Sequence, residues 1–270
     1  MHEWRKYNGS LIPIVPPHKN VDSSKVDQLI NETNSYLAMW TTDFDYESPT
    51  KFWHVICDKF IHFDNLSSNT RSKIRRSEKK LTIRMVNKNF IIQNGFECYN
   101  SAFENYKSYY NRKSKKKFVN DLLNLEGEWH FWAIFFQKKI VAFSQNRIID
   151  KYCEYSTIKF HPTYLKYYSS YLLFHTMNKY YLQDYKFKYV NNGMRNLTHK
   201  TNIQSFLIQK FGFRKSYCKL SIRYNRRIRF FLSFIYPFRL VFYPFNTRFA
   251  LRIKALFTLE NVRRSYLRNE

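Results

Sequence analysis

Three residues of this 270-residue chain have side chains and surroundings suited to proton transfer. Glu154 lies among aromatic and apolar residues, where burial would raise the pKa of its carboxyl and suit it to act as a general base. His199 follows Asn191-Asn192-Gly193-Met194-Arg195, so an imidazole and a guanidinium are close in the chain. Tyr217 is a candidate acid for a leaving group. The structural alternatives are an edge carboxylate paired with a lysine for Glu154, and a helix-terminal imidazole satisfied by backbone or water for His199.

A second group of candidate residues is cationic. Arg71, Arg75 and Lys79 recur every four residues, so a helix that begins after Ser67 or Ser68 and runs towards Leu81 places them on one face. Such a face could guide a phosphate-rich donor or a lipid-linked pyrophosphate. The alternative is a solvated charged face without a ligand.

The overall charge points to a polyanionic partner. The chain carries 46 Lys and Arg against 20 Asp and Glu, a formal net charge of +26. This excess indicates attraction to nucleic acid, anionic lipid or a phosphate-bearing ligand, and charge alone does not choose among them. The 26 Phe and 22 Tyr exclude the composition of a disordered chain.

Cysteine usage and the N-terminal sequence predict the compartment. The four cysteines are widely spaced, with no CxxC pair and no histidine cluster at ligand spacing, so we expect reduced thiols and no metal site. The first residues lack an apolar signal core, and no run of about 18 apolar residues exists. These features predict a cytoplasmic protein.

The chain alternates between predicted strands and helices. In the first half we expect a strand at Ser10–Val15, a helix from Asp22 or Ser23 to Tyr36, a helix from Pro49 to Phe60, a strand at Leu81–Val86 and a helix over residues 95–111. In the second half we expect an antiparallel meander of Phe131–Phe136, Ile140–Ile148 and Tyr152–Ile158, then a helix over residues 167–183, a strand Phe187–Asn191, a helix Thr201–Lys210 capped by Gly212, and a strand to Tyr224.

This order of the second half, closed by the turn Ile208-Gln-Lys-Phe-Gly-Phe-Arg214, resembles the catalytic core of the GNAT acyltransferase superfamily over residues 128–224. The resemblance implies an α/β (α+β) fold with a mixed, mostly antiparallel central sheet flanked by helices. It also implies that Tyr152–Ile158 and Phe187–Asn191, the fourth and fifth strands of that core, splay apart. In the family the gap admits the pantetheine arm of acyl-coenzyme A.

The resemblance implies which side chains meet this donor. They are Ile158 and Phe160 on the fourth strand, and Asn191 and Asn192 at the end of the fifth. A typical GNAT protein then has an Arg/Gln-x-x-Gly-x-Gly/Ala turn, where this chain reads Tyr164-Leu-Lys-Tyr-Tyr-Ser-Ser170. Without glycines the backbone approaches a phosphate less closely, so we expect Lys166, the hydroxyls of Ser169 and Ser170, and the helix dipole to bind the anion.

The stretch Asn69–Ile83 looks like the segment that closes the first half of FemAB-like enzymes, the double-GNAT transferases of bacterial cell-wall assembly. FemAB-like enzymes take aminoacyl-tRNA as donor, without a strict glycine motif. We therefore expect two GNAT-like halves: an N-terminal degenerate half at 1–117, a catalytic half at 128–224, and a basic tail at 225–270.

The tail interleaves cations with aromatic residues. Its ten Arg or Lys and two Glu give a net charge of +8, and Pro237 and Pro244 interrupt it. Short basic aromatic helices settle at anionic lipid surfaces, which predicts peripheral binding at the inner face of a membrane. The alternatives are a hairpin packed back onto the enzyme, and an RNA-binding segment.

The leading interpretation is transfer of an acyl group from acyl-coenzyme A, such as acetyl-coenzyme A, to an amine or hydroxyl of a cell-envelope saccharide or lipid-linked precursor. Arg71, Arg75, Lys79 and Arg195 would bind the substrate. One alternative is aminoacyl transfer from tRNA, favoured by the net charge and the missing glycine turn. The other is a non-catalytic basic protein that binds RNA or membrane.

Overall fold

The computed structural model describes residues 3–7, 9–103, 112–195, 202–242, 244–245 and 247–267. The strands are β1 (Trp4–Tyr7), β2 (Ser10–Pro13), β3 (Leu37–Thr42), β4 (Phe52–Cys57), β5 (Thr82–Val86), β6 (Glu128–Phe136), β7 (Lys139–Ile149), β8 (Tyr152–Phe160), β9 (Tyr189–Met194) and β10 (Arg214–Tyr224). The α-helices are α1 (Val26–Glu32), α2 (Ser68–Glu78), α3 (Lys88–Asn94), α4 (Phe96–Ser101), α5 (Lys115–Leu123), α6 (Ser169–Asn178), α7 (Ile203–Phe211), α8 (Arg226–Ile235) and α9 (Arg248–Leu267).

The chain forms two compact units, each made of separate stretches of sequence. The first comprises Met1–His54, Met194–Thr201 and Lys215–Glu270, and the second comprises Val55–Gly193 and Asn202–Arg214. The predicted division into domains at 1–117, 128–224 and 225–270 stays a prediction.

In the first unit, β3 lies between a parallel partner, β2, and an antiparallel partner, β10, while β1 pairs antiparallel with β2. Successive side chains of a strand point to opposite faces. Ala38 accordingly packs with Val26 and Ile30 of α1, and Leu37 packs with residues of β10, α8 and α9. Both faces of this sheet are therefore covered.

The second unit contains the predicted meander. β5, β6, β7 and β8 pair antiparallel in that order, and β9 joins β8 in parallel. On one face Phe131 and Phe135 pack with α3, α4 and α5. On the other face the Trp132 indole donates to the Tyr181 hydroxyl at 3.2 Å, where α6 continues as a π-helical turn, Lys179–Asp184. The predicted fold class, a mostly antiparallel sheet flanked by helices, is confirmed.

Two predictions of the first half were wrong. The helix expected from Pro49 to Phe60 is the strand β4, whose run of Phe, Trp, Val and Ile favours a strand; all of its residues except Trp53 are buried. Short buried apolar runs do not show a period that separates the two structures. The helix expected to reach Tyr36 ends at Glu32, because the chain turns through Asn34 with φ 49°.

Two other local expectations are confirmed. Ser67 caps α2, since its hydroxyl accepts the Thr70 amide hydrogen at 3.3 Å. Gly212 ends α7 in the left-handed conformation, with φ 70°. The helix predicted over residues 95–111 is also wrong in its extent, since α4 ends at Ser101; residues 104–111 lie outside the described residues. None of the helices within the described ranges has the length and apolar character needed to cross a membrane.

Candidate functional site

The parallel strands β8 and β9 separate soon after they meet. Their pairing consists of Tyr152 opposite Tyr189, Cys153 opposite Val190 and Glu154 opposite Asn191, whereas β8 continues to Phe160. Residues 155–160 of β8 therefore take no part in the pairing with β9. Backbone N–H and C=O groups on an unpaired strand edge can bind an extended ligand that carries amide groups.

A β-bulge lies where the two strands separate. Asn146 of β7 pairs with Tyr155 and Gln145 pairs with Thr157, so Ser156 is an extra residue in β8. A bulge bends its strand and increases the local twist. The Tyr155 hydroxyl also donates to the Asn178 side-chain oxygen of α6 at 2.8 Å, which fixes β8 on that helix. The bulge thus bends β8 at the point where its pairing with β9 ends.

Glu154 occupies the last paired position before the splay. It is half-buried, and the strand register places it between Arg147 of β7 and Asn191 of β9. Burial, followed by the nearby Glu154 carboxylate, raises the pKa of the Tyr152 hydroxyl well above its usual range. Glu154 therefore lies at the end of the β8–β9 pairing, and its role as a base stays a prediction.

Asn191 shapes the end of β9. Its amide donates to the Tyr152 hydroxyl at 3.1 Å, and its side-chain oxygen accepts the Gly193 amide hydrogen at 2.8 Å. Gly193 has φ 91°, a conformation that strains other residues. Asn191 therefore stabilises the end of β9 through both hydrogen bonds. The neighbouring Asn192 is half-buried.

The start of α6 has the features of an anion site. Its N-cap is Tyr168, in the left-handed conformation at φ 60°, and no side chain caps the helix. The Ser169 hydroxyl is buried and has no hydrogen-bond partner within the described residues. A helix N-terminus presents amide hydrogens and a partial positive charge, so this start favours an anion.

Two cations of α2 lie beside this helix start. The Lys73 ammonium donates to the Tyr171 hydroxyl at 3.2 Å and lies 5.7 Å from the centre of the Tyr168 ring. The Arg76 guanidinium lies 5.1 Å from the same ring. We refer to Tyr168, Ser169 and Ser170 together with Lys73 and Arg76 as the cationic α6 start. It combines a helix dipole with two positive side chains.

The predicted face of Arg71, Arg75 and Lys79 lies elsewhere on α2. The Arg71 guanidinium donates to the backbone oxygens of Asp64 and Leu66, at 2.6 and 2.9 Å. Arg75 lies over the Phe63 ring at 5.1 Å, and Lys79 is exposed. The first two cations therefore hold the turn that precedes α2, and the substrate role predicted for this face stays a prediction.

The remaining predicted donor contacts follow β8 towards α6. Ile158 and Phe160 are half-buried on the part of β8 that lies beyond its pairing with β9. Lys166 is exposed, with its ammonium 5.3 Å from the Tyr167 ring, and Ser170 is half-buried. We call residues 155–160, which lie beyond the pairing with β9, the open part of β8. Glu154, the open part of β8 and the start of α6 all belong to the second unit.

Arg195 and Tyr217 belong to the first unit, where they flank a tryptophan. The Arg195 guanidinium lies 4.7 Å from the Trp53 ring, and its amide donates to the Trp53 carbonyl oxygen at 2.7 Å. The Tyr217 ring meets Trp53 edge-on at 6.1 Å. The Lys215 ammonium lies 4.4 Å from the same indole. His199 lies outside the described residues.

The cysteines are not suited to form a covalent acyl intermediate. All four are buried, and burial raises the pKa of the thiols of Cys57, Cys98 and Cys218 to about 12 and that of Cys153 well above its usual range. Thiols of this kind are neutral near pH 7 and weakly nucleophilic. Within the described part of the chain, no group of three or more His, Cys, Asp or Glu side chains is placed to hold a metal ion.

Sequence reasoning missed Lys73, Arg76 and Lys159. Burial, followed by Lys113, lowers the pKa of the Lys159 ammonium on the open part of β8. In α2 the buried positions are Thr70, Ile74 and Ser77. At 100° per residue, Lys73 and Arg76 lie on one side of this buried stripe. The single apolar residue of the helix, Ile74, could have located the stripe, but the tyrosines of α6 beside it could not be known.

The fold is similar to that of two solved structures. One is the C-terminal domain (DUF2156) of a putative lysylphosphatidylglycerol synthetase from Agrobacterium fabrum, with 12% sequence identity, a TM-score of 0.53, and coverage of 85% of this chain and 82% of that chain. The other is FemX, with 10% identity, a TM-score of 0.55 and coverage of 85% of each chain.

At these identities the similarity shows the fold alone, which is like that of FemX and of the Agrobacterium fabrum domain. No protein-family model matches the sequence, and no match was found among curated proteins.

Proposed function

We propose that this chain is an acyl-group transferase whose donor binds in the splay between β8 and β9. The observation that carries the proposal is the early end of the β8–β9 pairing at Glu154 and Asn191, next to a bulge at Ser156. It supplies a gap for an extended donor and a carboxylate at its opening. The similarity in fold to FemX over 85% of each chain supports the same reading.

The anionic part of the donor would lie at the cationic α6 start. Lys73 and Arg76, the uncapped helix start and the unpartnered Ser169 hydroxyl offer positive charge and hydrogen-bond donors. Because no glycine turn lets the backbone wrap a phosphate closely, the side chains of α2 take a larger share of its binding.

In the transfer step, the acceptor amine or hydroxyl attacks the donor carbonyl carbon, and Glu154 accepts the acceptor proton. Backbone amide hydrogens of β8 beyond Glu154 would stabilise the negative charge that develops on the carbonyl oxygen. The bond from the carbonyl carbon to the donor oxygen or sulfur then breaks, and that atom takes a proton. The protonated Glu154 carboxyl supplies this proton. The catalytic roles of Tyr217 and His199 stay predictions from the sequence.

Aminoacyl-tRNA is the favoured donor. The FemAB-like resemblance implies this donor. The formal net charge of +26 also favours a nucleic acid. The acceptor would be an amine or hydroxyl of a cell-envelope saccharide or of a lipid-linked precursor.

Acyl-coenzyme A is the second candidate donor. The order of strands in the second unit and the anion site at the start of α6 are those that the GNAT resemblance predicts for a coenzyme A thioester. In that case the pantetheine arm would pair with the open part of β8, and Lys73 and Arg76 would bind the pyrophosphate.

The melting temperature of the full chain with each donor tests the proposal. A ligand at 100 times its Kd stabilises a protein by about 2.7 kcal/mol. We expect this stabilisation with an aminoacyl-tRNA or with acetyl- or longer acyl-coenzyme A, and a smaller effect with deacylated tRNA or free coenzyme A. Transfer of a radiolabelled acyl group to amine and hydroxyl acceptors then identifies the product. If no acylated donor stabilises the chain, the proposal fails and the non-catalytic alternative leads.

A further inference from the structure

The C-terminal segment divides its apolar residues between two faces. On α8, Leu232 is buried, and Ile228 and Ile235 pack with it on residues of β10 and α9. The aromatic rings of Phe230 and Phe234, by contrast, are 66% and 61% exposed. The two faces recur at helical spacing, so the packing that covers one of them leaves the other open.

The exposed phenylalanines lie between arginines. At 100° per residue, Phe230 and Phe234 lie opposite Leu232, with Arg226 on one side and Arg227 on the other. The two rings are in contact, with centroids 4.7 Å apart, and both arginines are exposed. We call these four residues the arginine–phenylalanine face. Asn225 caps the helix, since its side-chain oxygen accepts the amide hydrogens of Arg227 and Ile228 at 2.8 and 3.1 Å.

The apolar surface continues beyond α8. The 3₁₀ turns at Tyr236–Phe242 expose Phe238, Leu240 and Val241, at 65%, 70% and 62% of their surface. Large apolar surfaces exposed on a protein often mark a site that binds a partner or a membrane. Residues 225–259 also contain no Asp or Glu, so cations alone accompany these apolar groups.

We propose that the arginine–phenylalanine face binds the surface of a membrane that contains anionic phospholipid. Phenylalanine and aliphatic side chains enter the boundary between headgroups and acyl chains, and flanking arginines bind phosphate groups there. A nucleic acid is a poorer fit, since Leu240 and Val241 have no ring on which bases could stack. A second copy is also a poorer fit, because it would bring like charges together.

Sedimentation of the full chain with lipid vesicles tests this proposal. One vesicle is phosphatidylcholine alone, and the other contains about a third phosphatidylglycerol. We expect binding to the anionic vesicle that weakens with salt, and little binding to the neutral one. Phe230→Ser combined with Phe234→Ser should lower the affinity at least about tenfold. Arg226→Gln combined with Arg227→Gln should lower it about fivefold for each arginine.

Two exposed apolar residues outside this face provide the matched control. Tyr7 and Leu123 are 57% and 55% exposed, so Tyr7→Ser combined with Leu123→Ser removes a similar exposed area. This variant should bind anionic vesicles as the parent does. All four altered phenylalanine and arginine side chains are exposed, so the melting temperature should stay close to that of the parent.

Several results would overturn the proposal. They are the absence of binding to either vesicle, equal binding by the Phe230 and Phe234 variant and the parent, or a parent dimer that the same variant abolishes. Loss of RNA binding by that variant with unchanged vesicle binding would also overturn it. The arginine variant gives an independent answer if the phenylalanine variant is unstable.

Discussion

Two surfaces of this chain combine cations with aromatic rings, and they use the combination differently. At the cationic α6 start, Lys73 and Arg76 lie over tyrosine rings, beside a helix end that no side chain caps. On the arginine–phenylalanine face, the rings of Phe230 and Phe234 touch each other and are open to solvent. The first arrangement concentrates charge at one point, and the second spreads apolar area between charges.

The difference indicates what each surface can bind. A point of positive charge at a helix start suits a single phosphate group of a donor, whereas an open apolar strip flanked by arginines suits an extended anionic surface. The two surfaces should therefore respond to different ligands. Both surfaces combine cationic and aromatic residues, so this composition alone does not predict which ligand each surface binds. The burial of each ring must also be known.

The largest expected effect concerns the carboxylate next to the first surface. Glu154→Gln keeps the size of the side chain but removes the base, so kcat for acyl transfer should fall by about 10²- to 10⁴-fold. Donor affinity should change little, because the change leaves the cationic α6 start intact. Rate measurements in single turnover test this prediction.

Glu97→Gln is the matched control for Glu154→Gln. The Glu97 carboxylate is exposed and pairs with the Lys139 ammonium at 2.6 Å, outside the splay. Its replacement should leave kcat within about twofold of the parent, as expected for an exposed ion pair. Equal loss of kcat in both variants, or unchanged kcat in Glu154→Gln, would contradict the role of Glu154.

The next effect separates the two faces of α8. Leu232→Ala should lower the free energy of unfolding by about 2–5 kcal/mol, because it removes a buried side chain from the core of the first unit. Phe230→Ala should change it by less than about 0.5 kcal/mol, since this ring is mostly exposed. Urea unfolding measures both values. Similar losses would mean that the aromatic face is covered in the folded protein.

A third effect compares the two faces of α2. Lys73→Gln combined with Arg76→Gln should weaken donor binding by about 10- to 100-fold, because charged hydrogen bonds to phosphate are lost. Binding to anionic vesicles should stay nearly unchanged. Direct titration with donor and vesicle sedimentation measure the two affinities.

Arg75→Gln combined with Lys79→Gln is the matched variant on the other side of the same helix. It removes the same charge but leaves Lys73 and Arg76 in place, so donor binding should weaken much less. The reverse order of effects would move the phosphate to the face that the sequence pattern first indicated.

The smallest effect concerns Ser169. Its buried hydroxyl has no partner within the described residues, so Ser169→Ala should leave the free energy of unfolding unchanged or raise it by up to about 1 kcal/mol. Donor affinity should fall by a similar amount if the hydroxyl binds the anion. Thermal unfolding without donor measures the change in stability, and thermal unfolding with donor measures the change in donor affinity. A clear loss of stability without donor would show that the hydroxyl already has a partner.

Much of the second unit could be predicted from sequence. Its strands β6 and β7 are runs rich in aromatic and β-branched residues, and the turn at Gly212 carries the residue that the backbone requires. The splay of β8 and β9 was an expectation from the GNAT resemblance, and the register confirms it. The bulge at Ser156 could not be predicted, because a serine there has no distinctive signal.

The parts that sequence did not predict depend on tertiary contacts. β4 was predicted as a helix because its short apolar run has no period that separates the two structures. The choice between the cations of α2 depends on where Tyr168 and Tyr171 of α6 lie. The sequence left three interpretations of the tail open, and the structure shows that Leu232 is buried and that Phe230 is exposed.

Hydrogen–deuterium exchange with and without donor tests most directly whether the splay binds the donor. The amides of residues 155–160 on β8 and of Ser169 and Ser170 at the start of α6 should exchange more slowly with acylated donor than in the free chain. Protection at both segments, lost in the Lys73 and Arg76 variant, is the predicted result. Stabilisation by donor without protection of residues 155–160 would contradict the proposed site.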